Sequence, residues 1–501
     1  MVASYLTSVR GNRIRWVLGA TLVCALIAIN SPAQAQFTGS FQTNLVSGVT
    51  SNWVGNGTYV VGSNTVFDLL QIIDNGRLSN GVGFVGYATN GANNAALISG
   101  PASVWTNSDP FTLGVTIGFF GPHNQLTVTN GGVVYSYNGG LGLMGSSSNN
   151  VALITGAGSA WRIVNELDAG GSGSSNAVII AAGATVSDVY GLVSYGGSNN
   201  SVRVTDNGSV WSTASDLYVG YSGAGNSLVV AAGGTVNNGH GYIGFNAASQ
   251  ANSVIVSSAT WQCRGNLYIG YSGSGNALAI GPGGSVNADN VYVGFSPSAS
   301  GNQLSIIGGS LYVTNAAHNA VLDVRCGQVV VNGGLLQADI LIVTNACGHF
   351  NRLAGTLVVS NLVLSADLDA DGDGLPNTWE QTYGLDPLSS VGNNGTNGDP
   401  DGDGQNNFQE LLSGTDPTNS ASAFRITIVS RETDNLRITW MTGLGKTNAL
   451  QVSAGITGGY YATNYTSLFT VTNTTGTLNN YLDIGAATNF PSRYYRVRLV
   501  P

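Results

Sequence analysis

Two acidic stretches carry the clearest chemistry in this chain. The first contains Asp369, Asp371, Asp373, Gly374, Asn377 and Glu380, and the second Asp399, Asp401, Asp403, Gly404, Asn407 and Glu410. Each fits the pattern D-x-[DN]-x-[DN]-G-x5-E at every specified position. Calcium is a hard cation that takes roughly six to eight oxygens. Alternate carboxylates on a tight loop converge on such an ion, the glycine makes the turn, and the final glutamate can bind through both oxygens. Leu375 and Gln405 would each add a main-chain carbonyl, while Asn377 and Asn407 stand where a side chain or a bridging water completes the shell. Between Arg352 and Arg425 no basic residue balances eleven acids, so without a cation these loops should repel themselves. The pair predicts Ca2+ as the cofactor.

The flanking elements are not those of an ordinary EF-hand. A strand-like run, residues 356–364, enters the first loop where a helix should stand. Residues 377–383 and 407–412 each have room for one or two helical turns. The motifs GLDP (384–387) and GTDP (414–417) follow the two loops. With these motifs, residues 367–420, within a segment of tandem calcium-binding loops bounded at 367–423, resemble dockerin-type and thrombospondin type 3-like calcium repeats. That resemblance implies twin sites that either bind a cohesin or stiffen a stalk, in a structural role rather than a sensory one. Glutamate at the twelfth position, where dockerins usually carry aspartate, favours the stalk. Asp386 and Asp416 are either additional ligands or turn formers ahead of proline.

Ahead of these loops runs a long repeat. The phrase LYVGYSGAGNSLVVAAGGTV (217–236) returns as LYIGYSGSGNALAIGPGGSV (267–286), with a looser copy at 167–186. An asparagine opens each unit at Asn94, Asn124, Asn150, Asn176, Asn200, Asn226, Asn252, Asn276 and Asn302; after a first step of 30, the steps are 24 or 26. Short apolar runs separated by Gly, Asn and Ser lack helical spacing and read as strands. One such strand cannot bury a face, but coils stacked roughly 4.8 Å apart give each side chain a copy of its own kind above and below. The period therefore predicts a β-solenoid over residues 36–366, with asparagine ladders at its turns. A β-propeller would need blades of about 40 residues, and the near-repeat at half of fifty argues against it. Residues 60–310 resemble the β-strand repeats of autotransporter passenger domains and related bacterial surface proteins. The resemblance implies the fold and leaves adhesins, proteases and esterases open as functions. No translocating barrel is recognisable downstream. The fold class expected is mainly β, a right-handed parallel β-solenoid followed by the calcium loops and a small sandwich.

Composition frames both regions. The chain has 72 glycines, 8% charged residues and a net charge of −9, and its mean hydropathy is +0.14. This is not the profile of a charged disordered tail. Lys446 is the single lysine and no basic patch is visible in the sequence, so nucleic acid is not an expected partner. Residues 1–35 read as a signal peptide: Arg10, Arg13 and Arg15 precede an apolar run, and Ala33-Gln34-Ala35 offers small residues for cleavage. The alternative is an uncleaved anchor. The mature protein would be secreted or held at a bacterial cell surface, meeting a membrane only through this segment during export. Residues 424–501 alternate apolar with polar residues in short runs, which predicts a fibronectin type III-like β-sandwich.

Other chemistry is sparse. Glu166, Asp168 and Asp188 are the candidate acids for catalysis of the kind that needs two carboxylates about 5–10 Å apart, and no coil breaks the repeat with a charged cluster. His123, His240, His318 and His349 lack metal spacing. Cys326 and Cys347 either pair in an oxidising compartment or stack inward as thiols. Trp105, Trp161, Trp211 and Trp261, with Tyr218, Tyr268 and Tyr292, form a ladder that either stacks on sugars from outside or stabilises the coil from within. The function expected is a structural or adhesive rod binding extracellular glycans, surface proteins or matrix through many weak contacts. The alternative is a polysaccharide lyase or glycoside hydrolase built on the same coil.

Overall fold

The computed structural model describes residues 37–53, 57–109, 113–455, 464–474 and 476–500, and the expected signal peptide, 1–35, lies outside them. No helix among the described residues is long and apolar enough to cross a membrane. The chain divides into two compact units, residues 1–239 and 240–501.

The first unit is a parallel β-solenoid with three short strands per coil. Gln125–Thr129 pairs in parallel with Ala95–Ser99 on one side and Val151–Thr155 on the other, in register. Val133–Ser136 and Gly139–Leu141 repeat this on the other two sides of the same coil. The register explains the repeat. Ile72, Ile98, Val128, Ile154, Ile180 and Val204 fall in one column and are all fully buried. Stacking of like on like is what makes strands of three to five residues worth forming.

At one corner the asparagines form the expected ladder. The main-chain N–H of Asn94 donates to Asn124 Oδ1 at 2.9 Å, Asn124 to Asn150 at 2.8 Å, Asn150 to Asn176 at 3.0 Å, Asn176 to Asn200 at 2.8 Å and Asn200 to Asn226 at 2.9 Å. Each amide is buried, so each bond satisfies a main-chain donor that water cannot reach. Asp68 begins the ladder, accepting from Gln42 N–H and donating its own N–H to Asn94 Oδ1. A glycine is required at this corner: Gly118, at the place the LYVG glycine takes in a later coil, has φ +71°, and a Cβ would collide with the Asn150 amide.

The fifty-residue double period has its own cause. Trp161 lies between Val134 and Val186 in its column, and Trp211 follows Val186. The indole reaches back to the preceding coil, where a Cβ on Gly139 would be 2.6 Å from Trp161 and one on Gly191 would be 2.7 Å from Trp211. The indole N–H groups donate to Asn80, Ser136 and Asp188 in the coil before. Large and small residues therefore alternate between coils, as close packing requires.

The second unit begins with more coils of the same kind. Its ladder runs from Asn252 to Asn276 to Asn302, each step 2.9 Å. Two columns of rings, Tyr242–Tyr268–Tyr292 and Phe245–Tyr271–Phe295, stack face to face at 5.0 to 5.1 Å between centroids. Arg325 closes both, 4.4 Å over Phe295 and 5.3 Å over Tyr292, and its Nε donates to Asp323 at 2.7 Å. Cys326 and Cys347 form a disulfide, and Cys263 is a buried thiol. The last two coils are continuous strands, Gly327–Val343 and His349–Leu364, paired in parallel. At the C-terminus, Asn435–Met441 pairs with Ile426–Glu432 and Leu478–Asp483. Thr447–Ala454 pairs with Thr466–Thr472 and Arg493–Leu499. These two antiparallel sheets share one core around Ile438, Trp440 and Leu450.

Candidate metal centre

Between the final coil and the C-terminal sheets lie the two acidic loops, each leading into a two-turn helix: α1 (Asn377–Tyr383) and α2 (Asn407–Ser413). Both helices end on a left-handed glycine, Gly384 and Gly414. The α2 helix starts at Asn406 with a capping box completed by Gln409. In each helix the loop's last ligand position, Glu380 or Glu410, lies three residues after an asparagine, so the two share one buried side.

The loops repeat each other almost bond for bond. Asp369 accepts from Gly372 at 2.7 Å and Gly374 at 2.6 Å, and Asp399 from Gly402 at 2.9 Å and Gly404 at 3.0 Å. Asp371 accepts from Asp373 N–H and Asp401 from Asp403 N–H, both at 3.1 Å. Asp373 Oδ1 accepts from Leu375 and Asp403 Oδ1 from Gln405. These turns bring the carboxylates of Asp369, Asp371 and Asp373 together, and likewise those of Asp399, Asp401 and Asp403, with one oxygen from each within 4.8 Å of the others. Among the described residues these are the two groups of three or more potential metal ligands.

The oxygens not used in turns decide what the site can do. Both carboxylate oxygens of Glu380 and both of Glu410 are buried and accept no hydrogen bond, as are Asp371 Oδ2, Asp401 Oδ2 and Asp403 Oδ2. Buried oxygens of this kind are costly unless paired or bound to a cation. Burial, with Asp371 and Asp373 alongside, pushes the Glu380 carboxyl up to about 9. Burial followed by Asp373 and Asp369 pushes Asp371 up to about 8. Burial with Asp401 and Asp403 pushes Glu410 up to about 7. The donor set, all oxygen and anionic with a bidentate-capable glutamate, fits calcium rather than a softer metal.

Asn377 and Asn407 do something the pattern does not specify. Asn377 Oδ1 accepts from Ala370 N–H at 2.9 Å, and its amide donates to Ser365 O at 2.7 Å. Its side chain is thus a strap across the loop. The Asn407 amide donates to Asn393 O and Gly395 O, both at 2.8 Å, but its Oδ1 has no partner. The reason is Pro400, which stands where the first loop has Ala370 and carries no N–H.

The loops are joined to each other and to what flanks them. Thr396 N–H donates to Asp373 Oδ2 at 2.8 Å, and the Thr396 hydroxyl donates to Asp373 O. Phe350 and Arg352 in the last strand donate N–H groups to Ala370 O and Leu388 O, both at 2.7 Å. Arg352 also pairs with Asp386, whose other oxygen accepts from Leu388 N–H. Asp416 Oδ1 accepts from Thr418. Of the two roles open to Asp386 and Asp416, the bonds observed are those of turn formers. Beyond α2, Gly443 N–H donates to Ser413 O at 2.8 Å and Lys446 Nζ to Leu411 O at 3.2 Å. Nothing in the sequence pattern marks Thr396, Arg352 or Lys446 for these contacts.

The solenoid residues behave differently. Trp105, Trp161, Trp211 and Trp261 are fully buried, so of the two readings the interior stack is the one found, and the indoles of Trp105, Trp161 and Trp211 fill space over the preceding coil. Tyr218 and Tyr268 are buried as well, and the faces of Tyr242, Tyr268 and Tyr292 are spent on one another. Asp168 is buried and accepts from Gly170 and Tyr195 N–H groups, and Asp188 accepts from Trp211 at 2.6 Å. Burial pushes both carboxyls up to about 7. Each is an interior hydrogen-bonding group. His240 Nδ1 accepts from Asn266 N–H, and His318 approaches Asp339 at 3.7 Å. No family model matches this chain, and no curated protein or solved structure matches it.

Proposed function

We propose that this is an exported structural or adhesive β-solenoid protein whose acidic segment, residues 367–423, binds two calcium ions. The ions would fix the joint between the last coil and the C-terminal sheets. In the first site Asp369, Asp371, Asp373, the Leu375 carbonyl and Glu380 would hold the ion. In the second it would be Asp399, Asp401, Asp403, the Gln405 carbonyl and Glu410, with the unpartnered Asn407 Oδ1 or a bridging water completing the shell. Calcium supplies the positive charge that the stretch from Arg352 to Arg425 lacks. The observation that carries this reading is the pair of glutamates, Glu380 and Glu410, with all four carboxylate oxygens buried and unpartnered.

Export agrees with the Cys326–Cys347 disulfide, which persists in oxidising compartments. Adhesion would use the outward Ser, Thr and Asn columns of the coils, engaging extracellular glycans, surface proteins or matrix by avidity. The bonds from Phe350 and Arg352 on one side and Gly443 and Lys446 on the other make the segment a joint rather than a free tail. The test is limited proteolysis with and without EDTA. Chelation should open cleavage within residues 367–423 and leave the coils resistant. An unchanged pattern would refute metal occupancy.

A further inference from the structure

The last coil leaves the solenoid open. In the coil before it, Leu336, Ala338, Leu341 and Val343 are buried. Their register partners in the final strand are Leu357, Val359, Leu362 and Leu364. These four continue the interior columns, yet Leu362 is 42% exposed and the other three are only half-buried. On the outward side Val358 is 47% exposed and Val363 38%. The strand is tied at its start, where Phe350 and Arg352 donate to Ala370 and Leu388, and again just past its end, where Ser365 and Ala366 accept from Asn377 and Thr378. From residue 354 to 364 no main-chain bond beyond that edge is found among the described residues. An uncharged strand edge with an open apolar end is a template for another strand, and natural proteins usually cover or charge such edges.

We infer that this edge, Thr356 to Leu364, docks a second copy of the chain, edge to edge and antiparallel about a two-fold axis. An open row of N–H and C=O groups selects an extended strand as its occupant. Charge selects which strand. The chain is acidic overall, with 25 acids against 16 basic residues, and eleven of the acids lie in residues 367–416, so the segment that follows this edge repels a copy of itself. From residue 353 to 366 there is no charged residue and no proline. A two-fold contact places a patch against itself, so a neutral, apolar, bond-competent patch is self-complementary where an acidic one is not.

The test is the mass of the full chain in calcium-containing buffer, measured by light scattering and sedimentation from about 1 to 100 μM, the range over which weak dimers form. The wild-type chain should double its mass, and Val358→Lys with Val363→Lys should return it to that of one chain. Both side chains point away from the interior, so the double variant should keep the wild-type far-UV spectrum. Should it misfold, Leu362→Glu is the second variant, held to the same spectral control. A wild-type chain that stays single at the highest concentration overturns the inference. So does an oligomer that a folded variant leaves intact.

Discussion

Replacing Glu380 by glutamine should be nearly silent without calcium and costly with it. In the calcium-free protein the carboxyl is pushed up to about 9, so near pH 7.5 it already carries a proton. Glutamine keeps its shape and its neutrality, and the change in unfolding free energy should stay within about 1 kcal/mol, the scale of one neutral hydrogen bond. With calcium the carboxylate offers two unpartnered oxygens and glutamine offers one neutral carbonyl. At a free calcium concentration of about 1,000 Kd the ion contributes about 4 kcal/mol by mass action. Loss of the bidentate anion should weaken affinity on the order of a hundredfold, so about 3 kcal/mol of that gain disappears. The assay is urea unfolding of wild type and variant, each in calcium and in EDTA, followed by pulse proteolysis within residues 367–423. Equal destabilisation in both buffers would refute the reasoning, because it would make Glu380 an ordinary packing residue.

Two further outcomes follow from the same geometry. Gly139→Ala should destabilise by about 1–3 kcal/mol through overpacking, because its Cβ would sit 2.6 Å from Trp161 and 2.9 Å from Ile163. Adding Trp161→Leu should recover part of that loss, with a coupling of about 0.5–3 kcal/mol in a double-mutant cycle. Gly145→Ala, with nothing near it, is the silent control, and strict additivity of the first pair would refute the large–small rule. The second outcome concerns pH. Folded-state carboxyls raised to about 7 to 9 help the calcium-free segment most below the ordinary carboxylate range, near pH 4. That help is lost as pH rises through 7 to 9. Calcium binding needs the deprotonated forms and reverses the trend, so proteolysis of residues 367–423 in EDTA should quicken from pH 5 to pH 8, and in calcium it should slow.

Much of the fold was legible because it is one short lesson repeated. Each coil states the same asparagine, the same apolar pair and the same glycine turn, so a misreading of one coil is corrected by the next. The acidic loops were legible for a related reason: the spacing of Asp369, Asp371, Asp373 and Glu380 is set by the geometry of a single turn. What the sequence left open was decided by residues in other coils or elements. Whether Trp161 faces out or in depends on Gly139, one coil earlier, which supplies the space for the indole. Asn377 is marked by position alone, and its bonds to Ser365 and Ala370 across the loop are not legible from the motif. Thr396, which ties the second loop to Asp373, belongs to no motif at all.

The most direct measurement is a calcium titration of the chelated full chain by isothermal calorimetry. Two ions per chain are expected, falling to none when Asp371→Asn and Asp401→Asn are combined. No binding by the wild-type chain, or heats that the double variant leaves unchanged, would contradict the assignment of these loops as the metal-held joint.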